Sequence, residues 1–227
     1  LRAADERVTV THGAFAEVGR IAEQHGLSGK VAGILFDLGV SSPQLDDPDR
    51  GFSFMRDGPL DMRMNPEQGL SAEQWVNSAS EREIADVLYQ YGEERHSRRM
   101  ARAIVAARQD APITRTGQLA EIVKQANPAW EKDKHPATRA FQGIRIFING
   151  EFDELNLALE QALGVLDVGG RLVVISFHSL EDRIVKKFIA MQTKGDNFPR
   201  DLPVTESMMN PRLRAIGKAV KPSAGEI

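Results

Sequence analysis

The residues best suited to chemistry stand where an apolar run stops. Val31, Ile34, Leu35 and Phe36 form a short hydrophobic stretch that ends on Asp37 and Gly39, the pattern of a buried strand with a carboxylate at its carboxyl end. In open α/β sheets ligands sit in the crevice beyond the strand ends, where an acid can accept hydrogen bonds or favour a cationic ligand. Ser41, Ser42 and Gln44 follow at once, so Asp37, Ser41 and Ser42 are the candidate catalytic groups, and Gln44 adds both a donor and an acceptor. The chain then runs on to Met64 with Gly, Pro, Ser and Asp mixed among Phe52, Phe54, Met55, Leu60 and Met62, far beyond the usual connection of about 4–6 residues. A connection of that length with apolar content reads as functional.

Two helical faces carry further polar chemistry. At about 100° per residue, Arg95, Arg98, Arg99 and Arg102 fall on one arc of a helix over 93–108, with Met100, Ala103, Ile104 and Ala107 on another. Four arginines in a strip suit phosphate; the plainer reading is a solvated face with Glu93 and Glu94 beside it. A second helix, beginning near Pro136, sets Thr138, Arg139, Gln142, Arg145 and Asn149 roughly opposite Phe141, Ile144 and Ile148. Exposed helical faces usually carry more Glu and Lys than this one, which points its polar side toward a cleft.

Other chemistries find little support. His12, His96, His135 and His178 include no helix-spaced pair and the chain has no cysteine, so no metal site is expected. Ser179 lacks the Gly-x-Ser-x-Gly elbow of an α/β hydrolase and, with Asp182 three positions on, fits a helix cap. Gly169 and Gly170 precede a strand and so form a turn, not a phosphate cradle.

These groups need a frame. Val8 and Val10 suggest a strand, followed by a helix over 14–25 and the strand over 31–37, a unit that implies parallel pairing. Ser71 and Ser80 sit where they would cap helices carrying Trp75, Val76, Ile84, Val87 and Leu88. Between Asp46 and Lys134 the pattern is helical with no strand; frame-like sequence then returns with the helix near Pro136 and a second apolar helix through Leu155, Leu159 and Leu163. Arg171 to Phe177 read as a buried strand and Ser179 opens a further helix lined by Ile184, Phe188 and Met191. The expected architecture is α/β, with residues 1–45 and 135–227 forming a discontinuous frame and 46–134 an all-helical insert for substrate recognition. At 227 residues and 41% hydrophobic the chain buries a real core, and its net charge of −3 excludes a uniformly basic nucleic-acid binder while allowing a local basic face. No apolar run reaches a membrane span of about 18 residues, and a soluble, cytoplasmic protein is expected.

Taken together, HGAF at His12–Phe15, DLGVSSPQLDDPDRGFSFMRDGPLDMRM from Asp37, YGEER from Tyr91, KHPATRAFQGIRIFIN from Lys134 and GGRLVVISFHSLEDRIVKKF from Gly169 resemble one family. It is that of the bacterial small-subunit ribosomal RNA methyltransferases acting on the N4 amine of a cytidine, the RsmH or MraW family, and the likeness covers nearly the whole chain. The resemblance implies a Rossmann-like, S-adenosylmethionine-dependent methyltransferase sheet with an inserted helical domain, and 16S ribosomal RNA, within the small subunit, as partner; a homodimer stays open. Residue by residue it puts cofactor contacts on Phe15, Asp37 and Gln44. The family's Gly-rich cofactor loop, acidic ribose-binding residue and final strand have no counterpart in these 227 residues, so an incomplete site and weak cofactor binding are expected. The rival expectation is a non-catalytic RNA- or ribosome-binding module.

The arginines Arg95, Arg98, Arg99 and Arg102, with Arg139, Arg145 and Asn149, are the expected substrate contacts. No aromatic follows Asp37 at once, so a stacking partner for the base must come from Phe52, Phe54 or Trp75, although a tryptophan in such a segment is more often packed in a core.

Overall fold

The computed structural model describes residues 5–128, 135–196, 205, 208–223 and 225. A 3-10 turn at Phe15–Glu17 leads into α1 (Val18–Gln24), then β1 (Val31–Asp37), the short α2 (Ser42–Asp46), a 3-10 turn at Pro48–Arg50, α3 (Ala72–Ser78), α4 (Glu81–Gln90), α5 (Ser97–Asp110), α6 (Thr116–Ala126), α7 (Ala137–Ile148), α8 (Glu151–Val165), β2 (Leu166–Ile175) and α9 (Ser179–Lys194). The chain divides into two compact units, Leu1–Leu38 with Glu154–Ile227, and Gly39–Asp153.

The first unit is built on β1 and β2, which pair in parallel with Gly33 opposite Arg171 and Asp37 opposite Ile175. Period-two alternation sends Ile34, Phe36, Leu172 and Val174 to one face, where they pack with Leu155, Leu159, Val185 and Phe188 of α8 and α9. The opposite face leaves Leu35, Val173 and Ile175 exposed, so β2 is a half-buried strand and not the fully buried one expected. The Val8–Val10 strand does not form: these residues are irregular, both valines are exposed, and β1 takes β2 as its parallel neighbour instead. Three residues supply too little apolar face to fix a register. The cap of α9 also falls one residue earlier than expected, on His178, with Glu181 at the third helical position.

The second unit is helical, and among its described residues no strand occurs beyond a single bridge between Pro59 and Arg115. Ser71 and Ser80 cap α3 and α4 as expected, accepting from the amides of Gln74 and Glu83 at 3.2 Å each. Helix α4 packs on α5, α5 on α6, and α7 lies against α4 and α6. That places α7 in the helical unit, which runs from Gly39 to Asp153 instead of 46–134; Lys134, where the frame was expected to resume, lies outside the described residues. The physical reason is its apolar stripe: Ala137, Ala140, Phe141 and Ile144 close the same core as Trp75, Leu88, Met100, Ile104 and Leu119. Close approach depends on two glycines, because a Cβ on Gly92 would stand 2.4 Å from the Arg139 carbonyl and one on Gly143 would stand 2.8 Å from the Gly92 nitrogen.

The long connection after α2 is a strap bolted to the helical unit. Leu60 N donates to Thr114 O at 2.9 Å, Thr116 N to Gly58 O at 2.9 Å, and Gly58 N to Thr116 Oγ1 at 3.0 Å. Asp57 pairs with Arg115 and accepts from Gly117 N at 2.9 Å. Phe52, Leu60 and Met62 of the strap turn inward as core residues, whereas Met55 is exposed.

Candidate functional site

Asp37 closes β1 at the carboxyl end of the parallel pair. Its neighbours alternate inward, Phe36 and Leu38 being buried, so the carboxylate points away from the core and is exposed. The backbone around it is held by Leu38 N donating to Ile175 O at 3.1 Å. Among the described residues the carboxylate makes no hydrogen bond or ion pair, which leaves its acceptor capacity for a ligand. Phe15, at the head of the 3-10 turn, is half-buried and meets Phe36 edge-on with ring centroids 5.9 Å apart. Phe15 and Asp37 are therefore anchored to successive residues of one strand, and each keeps accessible surface. An aromatic face and an unpaired acid fit a ligand that combines a purine with a positive charge.

Ser41, Ser42 and Gln44 open the second unit. Ser41 stands at the N-cap of α2, where Gln44 Oε1 accepts from Ser41 N at 2.8 Å and from Ser41 Oγ at 3.0 Å. Ser41 and Gln44 thus satisfy each other in a capping-box pattern, a local role that their spacing of three announces. Gln44 retains its amide NH2 as a donor, and Ser42, the first helical residue, is exposed.

The two arginine-bearing helices part company. The helix expected over 93–108 is α5, Ser97–Asp110, so Arg95 lies before it and off its arc. Arg95, Arg98 and Arg99 are exposed and make no ion pair among the described residues; Arg102 stands 3.8 Å from Glu81 with its side chain largely exposed. On α7 the polar strip is turned into the unit. Arg145 grips Glu151 through Nε and an Nη at 2.8 and 2.9 Å, with both side chains largely buried. Asn149 accepts from Met64 N at 2.6 Å and donates to Met62 O and Arg145 O at 2.8 and 2.9 Å. Arg139 donates to Glu93 O at 3.1 Å. These groups fasten the strap and the following helix, so Arg139, Arg145 and Asn149 find partners within the protein, while Thr138 of the same strip is exposed. Met62 shows what the fastening holds, for it is fully buried with φ at 62°, a left-handed geometry that costs a non-glycine residue about 1–3 kcal/mol.

None of the three aromatics expected to stack on a base is displayed. Trp75 is 3% exposed, packs against Phe147 and donates to Glu83 Oε1 at 2.8 Å. Phe52 lies under the Arg50 guanidinium, 5.6 Å from its centroid, and Phe54 is sandwiched by His135 and Phe141. A shallow depression of about 300 Å³ bordered by Arg82, Asp86, Tyr91 and Phe147 contains none of the expected site residues. Among the described residues no cluster of acids and histidines is arranged to hold a metal, and no helix is long and apolar enough to cross a membrane.

A buried acid that the sequence reading passed over stands after β2. Glu181, 2% exposed, accepts from the amides of Phe177 and His178 at 2.9 and 3.3 Å and lies 3.1 Å from His178 Nε2. Burial pushes its carboxyl up, but the His178 ring and the Phe177 amide outweigh this and hold it below the ordinary glutamate range. The signal was present in the sequence as an acid three residues beyond a cap, one position out of register with the cap chosen.

The sequence matches the MraW methylase family over residues 1–227. It is 59% identical over 224 residues to the ribosomal RNA small subunit methyltransferase H of Chromohalobacter salexigens, covering 98% of this chain and 68% of that protein.

Proposed function

The chain belongs to the MraW methylase family, and on that premise we propose that it transfers a methyl group from S-adenosylmethionine to the exocyclic N4 amine of a cytidine in 16S ribosomal RNA. The observation that carries this reading is Asp37, an exposed carboxylate at the end of a parallel strand pair with no partner among the described residues. The name of the similar protein, a methyltransferase of small-subunit ribosomal RNA, supports the substrate class.

S-adenosylmethionine, when bound, supplies a methyl group activated by a sulfonium. Phe15 would offer its ring to the adenine, Asp37 would stand on the positively charged side, and the Gln44 amide would donate. The N4 lone pair of cytosine is delocalised into the ring, so the protein must turn the amine until that pair lies in line with the methyl carbon. Asp37 does this by accepting a hydrogen bond from N4–H. With the methyl supplied by the sulfonium, whose thioether would leave, the surplus proton would depart the nitrogen afterwards, so Asp37 would not have to act as a strong base. The catalytic contribution is positioning and charge. The exposed arginines of α5 would contact phosphates of the RNA.

The test is methyl transfer by the purified protein to 16S ribosomal RNA and to small subunits, with the product nucleoside mapped by mass spectrometry. A methyl on cytidine N4 is expected. Methyl transfer confined to another atom, or none with either substrate, overturns the assignment.

A further inference from the structure

Resting on that reading, the strand ends define one more role. Twelve aromatic side chains lie among the described residues, and of these Tyr89 and Phe177 are exposed; Phe177 belongs to the unit that carries Asp37. Phe177 is 72% exposed and follows β2 by two residues, while Asp37 stands opposite Ile175 in the parallel register. With strands about 4.8 Å apart and a rise of about 3.3 Å per residue, the Phe177 backbone lies beside the end of β1, within side-chain reach of the space beyond Asp37.

The exposure is not that of a frayed end. The buried Glu181 carboxylate accepts from the amides of both Phe177 and His178, so the turn that presents the ring is tied to the first turn of α9. Such a turn holds a large apolar ring in water at a fixed place. We propose that Phe177 is the stacking wall for the target cytosine, so that the ring is met on its face by Phe177 and on its amine edge by Asp37. Glu181 is then the positioning residue that sets the wall. This arrangement supplies the aromatic partner that Phe52 and Trp75, packed inside the helical unit, and Phe54, held against its core by His135 and Phe141, do not.

Three variants test it: Phe177→Leu, Phe177→Trp and Phe177→Tyr, each assayed for kcat and KM with RNA, with cofactor affinity measured by calorimetry. Base stacking on an aromatic side chain is strong enough that Phe177→Leu lowers kcat/KM for RNA about ten- to hundredfold, while the Trp and Tyr variants stay within about threefold of the original. Cofactor affinity and thermal midpoint are unchanged in all three. Leucine preserves apolar bulk, so a merely structural role predicts full activity from it, and that result overturns the inference while the methyl transfer of the unmodified protein keeps the reaction itself standing. Equal loss in all three variants, or a parallel fall in cofactor affinity, also overturns it. If the unmodified protein methylates no cytidine, the reaction fails and this role fails with it.

Discussion

Helices α5 and α7 carry the same kind of pattern, basic and amide side chains at helical spacing opposite an apolar stripe, and the fold uses them in opposite ways. On α5 Arg98 and Arg99 stay exposed without an ion pair among the described residues, as does Arg95 just before it. On α7 Arg145 and Asn149 are drawn into a clasp with Glu151, Met62 and Met64. Asp37 belongs with the first kind, a charge held on a rigid element with nothing bound to it. The difference teaches that periodicity identifies a face, whereas function requires that the face be left without a partner. Groups that meet no internal partner are available to a ligand; groups that close on one another contribute stability.

Substitutions separate the two kinds. Asp37→Ala should reduce methyl transfer at least about a hundredfold, the scale on which a group aimed at a reacting centre acts, and leave the urea midpoint within error because the side chain is exposed. Normal turnover by that variant would remove Asp37 from the reaction. Asn149→Ala should do the reverse. It strands the Met62 carbonyl and the Met64 amide and frees a strained residue, so stability should fall by about 2–4 kcal/mol in urea unfolding while the folded fraction keeps its RNA affinity. A stable Asn149→Ala variant that had lost RNA binding would restore α7 to the substrate surface.

The α5 face answers to salt. Replacing Arg98 and Arg99 together by glutamate should weaken RNA binding about tenfold or more near physiological salt and make the dependence of log K on log salt shallower by about one to two. Titrations at several salt concentrations measure this, and the urea midpoint should not move. An unchanged slope would mean that these arginines form an ordinary solvated face.

What the sequence made legible follows the same division. Asp37 at a strand end, the arginine arc of α5 and the serine caps of α3 and α4 were readable because each depends on neighbours within a few residues. The clasp was not, since Asn149 meets backbone 85 and 87 residues away and nothing local records it. The extent of the helical unit was hidden for the same reason: an apolar stripe fits a sheet or another helix equally well, and Gly92 against Gly143 decides for the helices only once the chain is folded. Phe177 was read as the end of a buried strand because an apolar run carries no mark of which face will stay uncovered.

The smallest effect lies in acid. Asp57 is held below the ordinary carboxylate range by the Arg115 guanidinium and the Gly117 amide. For Asp61, burial pushes the carboxyl up, but the hydrogen bonds from the Arg63 side chain and amide outweigh it; Glu181 is lowered likewise through His178. A group depressed in the folded state binds its proton more readily once unfolded, so it contributes stability above its unfolded value, near pH 4, and loses it as the pH falls through the folded one. The urea midpoint should therefore be flat from neutrality to about pH 5 and decline below about pH 4. Asp57 and Asp61 fasten the strap of the helical unit, whereas Glu181 fastens the turn beside Asp37, so the comparison between the two regions can be repeated with a proton. Asp57→Asn with Asp61→Asn should shrink the acid decline while leaving methyl transfer near neutrality largely intact; Glu181→Gln should shrink it too but lower the turnover. An acid limb unchanged in both variants would show that these carboxylates are not what the fold loses on protonation, and full turnover by Glu181→Gln would separate the turn that holds Phe177 from the chemistry at Asp37.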